Sequence, residues 1–148
     1  MKVAIASDHG GLELKNVINE HLKDKGIEVI DCGTYTKESC DYPDYAEKAC
    51  KKVQDGNAEI AILVCGTGLG MSIAANKMKN IRAVVCGEEF SAYHAKSHNN
   101  ANVLCLGARV VGIGLATLIV DTFLNASFEG GRHERRVNKI AQLESSLF

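Results

Sequence analysis

The chain has a single proline, Pro43, and no apolar run near the ~20 residues a membrane-spanning helix needs. The opening residues Met1–Asp8 hold too short an apolar stretch for a secretory signal, so a cytoplasmic protein is expected. Neither sign of charge is in excess. Lys and Arg number 17, Asp and Glu 18, and the net charge is −1, which removes any global electrostatic case for nucleic acid or an anionic membrane. Six cysteines are present (Cys32, Cys40, Cys50, Cys65, Cys86, Cys105), but no two form a Cys-x-x-Cys pair. Zinc and thioredoxin-like readings are therefore weak, and reduced thiols are expected. No linker, repeat or low-complexity stretch divides the 148 residues. Hydrophobic residues make up 46% and charged residues 24%, as in an ordinary globular protein of one domain, residues 1–148, with a real core.

Apolar runs alternate with helix-length segments. Strands are expected at Lys2–Ser7, Glu28–Cys32, Ile60–Val64, Ala83–Cys86 and Val103–Leu106. Each is short and rich in Val, Ile, Ala and Leu, as in a parallel sheet covered on both faces. Leu14, Val17, Ile18, His21 and Leu22 recur at helical spacing, and Gly26 stops that helix. Pro43 opens a second helix. A third is expected from Ser72 to Lys77, and a segment ending at Ser97–Asn100 follows Cys86. Ile113–Phe123 reads as a largely buried helix, and Arg132–Leu147 as a terminal one with Val137, Ile140, Ala141 and Leu147 near one face. This order implies a three-layer α/β sandwich with right-handed crossovers. Ligands bind such sheets beyond the carboxyl ends of the strands. Asp8–Gly11, Cys65–Gly70 and Gly107–Arg109 each follow a strand and are expected to converge there, with the polar loop Gly33–Tyr42 reaching toward them.

Cys65 ends an apolar run and opens the loop Gly66-Thr67-Gly68-Leu69-Gly70. Glycines let a ligand approach main-chain N–H groups closely. A helix N-terminus beyond them stabilises an adjacent anion by about 0.3–1 kcal/mol. A thiolate base or nucleophile fits there, and so does a core cysteine at a strand end. The loop lacks the Gly-Lys-Ser/Thr ending of a Walker loop and the G-x-G-x-x-G dinucleotide spacing. Cys86 and Cys105 read as small buried hydrophobes. Asp8 and His9 suit sugar hydroxyls or a phosphate; Asp8 equally suits a helix cap beside an exposed histidine. Tyr42 is either a residue stacking on a substrate or a structural tyrosine. His98 lies near a helix C-terminus, where its cation is stabilised and a general acid is served; a capping cluster is the alternative. His94, a turn earlier, reads as a surface residue. Arg132 and Arg136, four apart at a helix start, share a face and suit a phosphate dianion. A solvated charged end is the alternative, although cations there oppose the macrodipole. Arg109 adds a third positive group.

Taken together, Ser7–Gly11, Asp41-Tyr42-Pro43, Cys65–Gly70, Ser97-His98-Asn99, Gly107–Arg109 and the Arg132/Arg136 pair make the chain resemble the type B ribose-5-phosphate isomerase family, end to end. Its wider group includes galactose-6-phosphate and allose-6-phosphate isomerases. The resemblance implies a Rossmann-like three-layer αβα sandwich with a five-stranded, mainly parallel sheet. It also implies a metal-free, cofactor-independent aldose–ketose isomerase of the pentose phosphate pathway. By that likeness Cys65 is the base, and the main chain of Gly66, Thr67, Gly68, Leu69 and Gly70 holds the enediolate. His98 opens the sugar ring with Thr67 assisting. Asp8, His9, Tyr42 and Asn99 bind substrate, and Arg109, Arg132 and Arg136 join His9 around the phosphate. Relatives with a glutamate base carry it in the helix after the loop, where this chain has Ala74, Ala75 and Asn76. The family builds sites from two subunits, so the resemblance implies a homodimer or homotetramer with helix 132–147 at the interface. A six-carbon sugar phosphate is the other substrate class it allows. A non-catalytic flavodoxin-like phosphosugar-binding module is the reading from another class, against which the loop thiol argues.

Overall fold

The computed structural model describes residues 1–147, the side chain of Leu147 excepted. Strands and helices alternate. In chain order they are β1 Lys2–Ser7, α1 Leu12–Asp24, β2 Glu28–Asp31, α2 Tyr42–Gln54, β3 Ile60–Cys65 and α3 Leu69–Ala75. There follow β4 Ala83–Val85, α4 Glu89–Ser97, β5 Val103–Gly107, α5 Ile113–Asn125 and α6 Arg132–Leu147. The sheet runs β2-β1-β3-β5-β4, and every neighbouring pair is parallel. The expected "mainly parallel" sheet is thus parallel throughout.

Side chains leave a strand alternately on its two sides, and here both sides are dry. Val3, Ile5, Ile62, Val64, Leu104 and Leu106 pack under Ile18, Leu22, Ile119 and Phe123 of α1 and α5. Ala4, Ala6, Ala61, Leu63 and Cys105 face Ala46, Ala49, Met71 and Ala75 of α2 and α3. The second face is built mostly from small residues, which lets α2 lie close to the sheet. Each fully buried large side chain contributes roughly 1.5–3 kcal/mol, so the α1/α5 side holds most of the apolar stabilisation. Among the described residues, no helix is long and apolar enough to cross a membrane.

Several expected boundaries move. Strand 60–64 extends to Cys65, 103–106 to Gly107, and 28–32 and 83–86 each end one residue early. The helix expected at Ser72–Lys77 spans Leu69–Ala75 instead. Gly68 takes a left-handed conformation (φ 80°) that turns the chain straight from the loop into the helix. Helix α5 is half-buried rather than largely buried: Ile113 is 59% and Leu118 44% exposed, on the side away from the core. On α6 the apolar side is also mostly open, with Ile140 and Leu143 exposed. Leu147, expected on the same side, lies outside the described side chains.

The end of β2 anchors the loop that follows. The Lys15 ammonium, 1% exposed, donates to both Asp31 carboxylate oxygens at 2.7 and 2.8 Å. Asn19 Nδ2 (3.2 Å) and the Gly33 N–H (2.9 Å) donate to the same carboxylate. The chain then runs beside the end of β1, where Ser7 donates to the Gly33 carbonyl and Thr34 to the Ser7 carbonyl.

Candidate active site

Three strand ends meet at the carboxyl edge of the sheet. Cys65 pairs in register with Gly107. Beyond them the Ala108 N–H donates to the Cys65 carbonyl and the Arg109 N–H to the Gly66 carbonyl, both at 2.9 Å. The Asp8 N–H donates to the Val64 carbonyl at 3.2 Å. Asp8 is buried and its Oδ1 accepts the Gly11 N–H at 3.1 Å, so the capping role foreseen for Asp8 is realised. Gly11 lies so close to β3 that a Cβ there would sit 2.5 Å from the Val64 carbonyl oxygen. These contacts bring Asp8–Gly11, Cys65–Gly70 and Gly107–Arg109 into one cluster, as expected.

Cys65 is 5% exposed. Its Sγ accepts the Gly68 N–H at 3.2 Å, a bond that strengthens when the sulfur carries charge. The exposed Thr67 accepts the Leu69 N–H at Oγ1 (3.3 Å). Tyr42 starts α2 and lays its ring over Gly70, where a Cβ would be 2.5 Å from the ring. The loop from Gly33 reaches the cluster at Cys40, whose N–H donates to His9 Nδ1 at 3.2 Å. That bond assigns the proton of the neutral ring to Nε2, leaving Nε2–H to donate outward. His9, Gly10 and Arg109 line a cavity of about 640 Å³, with Lys37 and Glu13 ion-paired at 2.9 Å at its mouth. Lys37 and Glu13 escaped the sequence analysis: neither lies in a motif, and only the folded loop brings Lys37 over α1.

The other cysteines differ in kind. Burial pushes the Cys50 thiol up to about 12 and the Cys86 thiol up to about 11, and raises Cys105 and Cys32 as well. Alkylation of the native protein at pH 8 is therefore expected to spare Cys50, Cys86 and Cys105, read by peptide mass spectrometry. Modification of these three at the rate of the unfolded chain would contradict it.

His98, Asn99, Arg132 and Arg136 form a second cluster on the opposite, amino edge. Helix α4 leaves the carboxyl edge after β4 and runs back, so His98 caps it just before β5 begins. Arg82, next to the start of β4, donates from Nε to the Asn100 carbonyl and from its N–H to Asn102 Oδ1, both at 2.8 Å. The Glu129 N–H donates to the Ser97 carbonyl at 3.0 Å and brings the start of α6 to the same place. The His98 and His133 rings stack at 4.0 Å with 12° between planes, and His94 stands edge-on to His98 at 4.7 Å. Burial, then the charges of His98 and Arg132, lower the His133 imidazole below its usual range; Glu129 pulls the other way. His133 was passed over in the sequence because it sits inside a charged helix start. Its position beside Arg132 was the one available signal. A groove of about 470 Å³, away from Cys65, runs between Arg82, Asn99 and the open α6 side chains Val137, Ile140 and Leu143.

One chain therefore carries the expected residues in two separate clusters. It gathers Cys65, Thr67, Asp8, His9, Tyr42, Gly66–Gly70 and Arg109, and separately His98, Asn99, Arg132 and Arg136. The convergence of all of them within a single chain does not occur. The sheet itself separates them, because helix α4 antiparallel to its strands delivers His98 to the far edge.

The family model described as Ribose/Galactose Isomerase matches residues 3–140. The chain belongs to this family. Within the ribose/galactose isomerase family it is similar to ribose-5-phosphate isomerase B of Escherichia coli K12, with 51% identity over 143 residues, 97% of this chain and 96% of the relative. It superposes on a Clostridium thermocellum ribose-5-phosphate isomerase B with a TM-score of 0.99, 52% identity and full coverage of both chains. A Mycoplasma genitalium ribose-5-phosphate isomerase B solved with bound ribulose 5-phosphate matches with a TM-score of 0.93 and 47% identity, covering 97% of this chain and 96% of that one. As a member of the ribose/galactose isomerase family at such identity, the chain is an isomerase.

Proposed function

We propose that this isomerase interconverts ribose 5-phosphate and ribulose 5-phosphate in the cytoplasm, at sites completed by a second copy of the chain. The observation that carries it is the Gly68 N–H donating to Cys65 Sγ in a glycine loop at the carboxyl edge. That pairing places the sulfur beside main-chain donors, the arrangement that α-proton removal from a sugar requires. The E. coli and M. genitalium relatives support the substrate.

In this reading His98 of the second copy gives a proton to the ring oxygen as the C1–O bond opens, with Thr67 assisting loss of the C1 hydroxyl proton. The Cys65 thiolate then takes the proton from C2. The resulting enediolate is held by main-chain N–H groups of Gly66–Gly70, a kind of interaction worth ~3–4 kcal/mol per donor. Return of the proton to C1, with the hydroxyl proton passing from O2 to O1, completes the exchange. Asp8, Tyr42 and Asn99 bind the sugar. His9 and Arg109 hold the phosphate from one side, and Arg132 and Arg136 of the second copy from the other, through charge-assisted forks. Helix α6 lies at the interface, where its open apolar side chains are covered.

Complementation tests the shared site. Cys65→Ala and His98→Asn proteins are each expected to be inactive on ribose 5-phosphate. Mixed by refolding together, they should regain about one quarter of wild-type turnover, since half of random pairs carry one intact site of two. Absence of any recovery, with mixed pairs confirmed by native mass spectrometry, would reject the shared site.

A further inference from the structure

Glu129 lies beside two imidazoles that stack on each other, yet it is hydrogen-bonded to neither. Its Oε2 is 3.7 Å from His98 Nε2, and its Oε1 is 3.8 Å from His133 Nε2. Both distances exceed the 2.7–3.2 Å of an N–H···O bond. Each is close to the about 3.4 Å that separates two ligands of a tetrahedral zinc with metal–ligand bonds near 2.0–2.1 Å, although the two involve different oxygens of the one carboxylate. The ligand atoms of all three residues fall within 4.8 Å of one another. We infer that His98, Glu129 and His133 form a binding site for a divalent transition-metal ion of the zinc type.

The donor set supports this choice. Two imidazoles and one carboxylate suit zinc and its neighbours rather than calcium or magnesium, which take oxygen ligands. Three protein ligands leave a fourth position for water. The backbone holds the ligands close before any ion arrives. The Glu129 N–H is bonded to the Ser97 carbonyl, the His98 N–H to the His94 carbonyl and the His133 N–H to the Gly130 carbonyl. Gly130 and Gly131, with φ of 71° and 58°, make the tight turn that carries Glu129 back over His133. A bound ion ties up the His98 ring that serves as proton donor in the proposed mechanism. The site therefore regulates or inhibits turnover, and that consequence rests on the proposed function, whereas binding itself does not.

Titration with Co²⁺, in the absence of substrate, tests the site in the full-length protein. The wild type is expected to take up one equivalent per chain, with the intense visible bands of four-coordinate cobalt, displaced by Zn²⁺. Glu129→Gln, an exposed and conservative change, and His133→Asn should each weaken binding by at least about tenfold. The Cys65→Ala protein should bind as the wild type does. Equal affinity in wild type and Glu129→Gln, or a sulfur-to-cobalt band that vanishes with Cys65, would overturn the assignment and leave the isomerase reading untouched.

Discussion

Cys65→Ala is expected to lower kcat for ribose 5-phosphate by roughly 10²–10⁴-fold, the contribution of a well-placed base, while the sugar phosphate still binds. The change removes one sulfur from a position 5% exposed and takes away the acceptor of the Gly68 N–H. It leaves Asp8, His9 and Arg109, which reach the site from β1 and β5, where they are. Substrate affinity, measured by calorimetry, should therefore stay within a few-fold of wild type. Cys65→Ser makes the stricter test. It keeps the hydrogen-bond acceptor and nearly the same volume, but a serine hydroxyl does not ionise near neutral pH, so the loss should persist. Near-normal turnover in either variant would remove the sulfur from the mechanism. A parallel loss of substrate binding would mean that the thiol shapes the loop rather than moving a proton.

The largest effect on stability is expected at Asp31, the last residue of β2. Asp31→Ala removes the partner of the Lys15 ammonium, which has almost no access to water. It also strands Asn19 Nδ2 and the Gly33 N–H. Breaking a buried pair from one side costs about 3–5 kcal/mol. The lower end applies here, because Asp31 itself is 26% exposed and water can partly replace it. At ~2–4 °C per kcal/mol for a domain of this size, Tm should fall by roughly 6–12 °C in a calorimetric scan. Function should suffer too, since the freed segment carries Cys40 and Tyr42 to the site. A rise in KM should accompany the lower Tm. Restoring neutrality with Lys15→Met in the same chain should recover part of the stability but not the KM, which separates the buried charge from the placement of the loop. An unchanged Tm for Asp31→Ala would contradict the assignment.

The strands were legible because each is a short, unbroken apolar run, and β1 was legible to the residue. The helix after the glycine loop was misplaced by three positions. Its first turn contains Leu69 and Gly70, which read as loop by composition, and only the left-handed Gly68 shows that the helix has already begun. The order of the outer strands was not legible, since β2 and β4 are both short and nothing in four or three residues names a neighbour. The motifs pointed to residues that fall into two clusters but did not show how far apart these lie. Which edge receives His98 depends on α4 crossing the whole sheet between β4 and β5. Glu129 was invisible because its role depends on a pair of glycines folding it over His133.

The opposed placement of the two clusters has a bearing on substrate choice. On the proposed pairing, the thiol and the α6 arginines belong to different molecules, so the span that gauges the sugar is not set within either chain. The gauge is the offset between two docked bodies. Adding or removing one carbon then calls for a slight slide of one copy along the other, which surface residues on α6 can set without repacking either core.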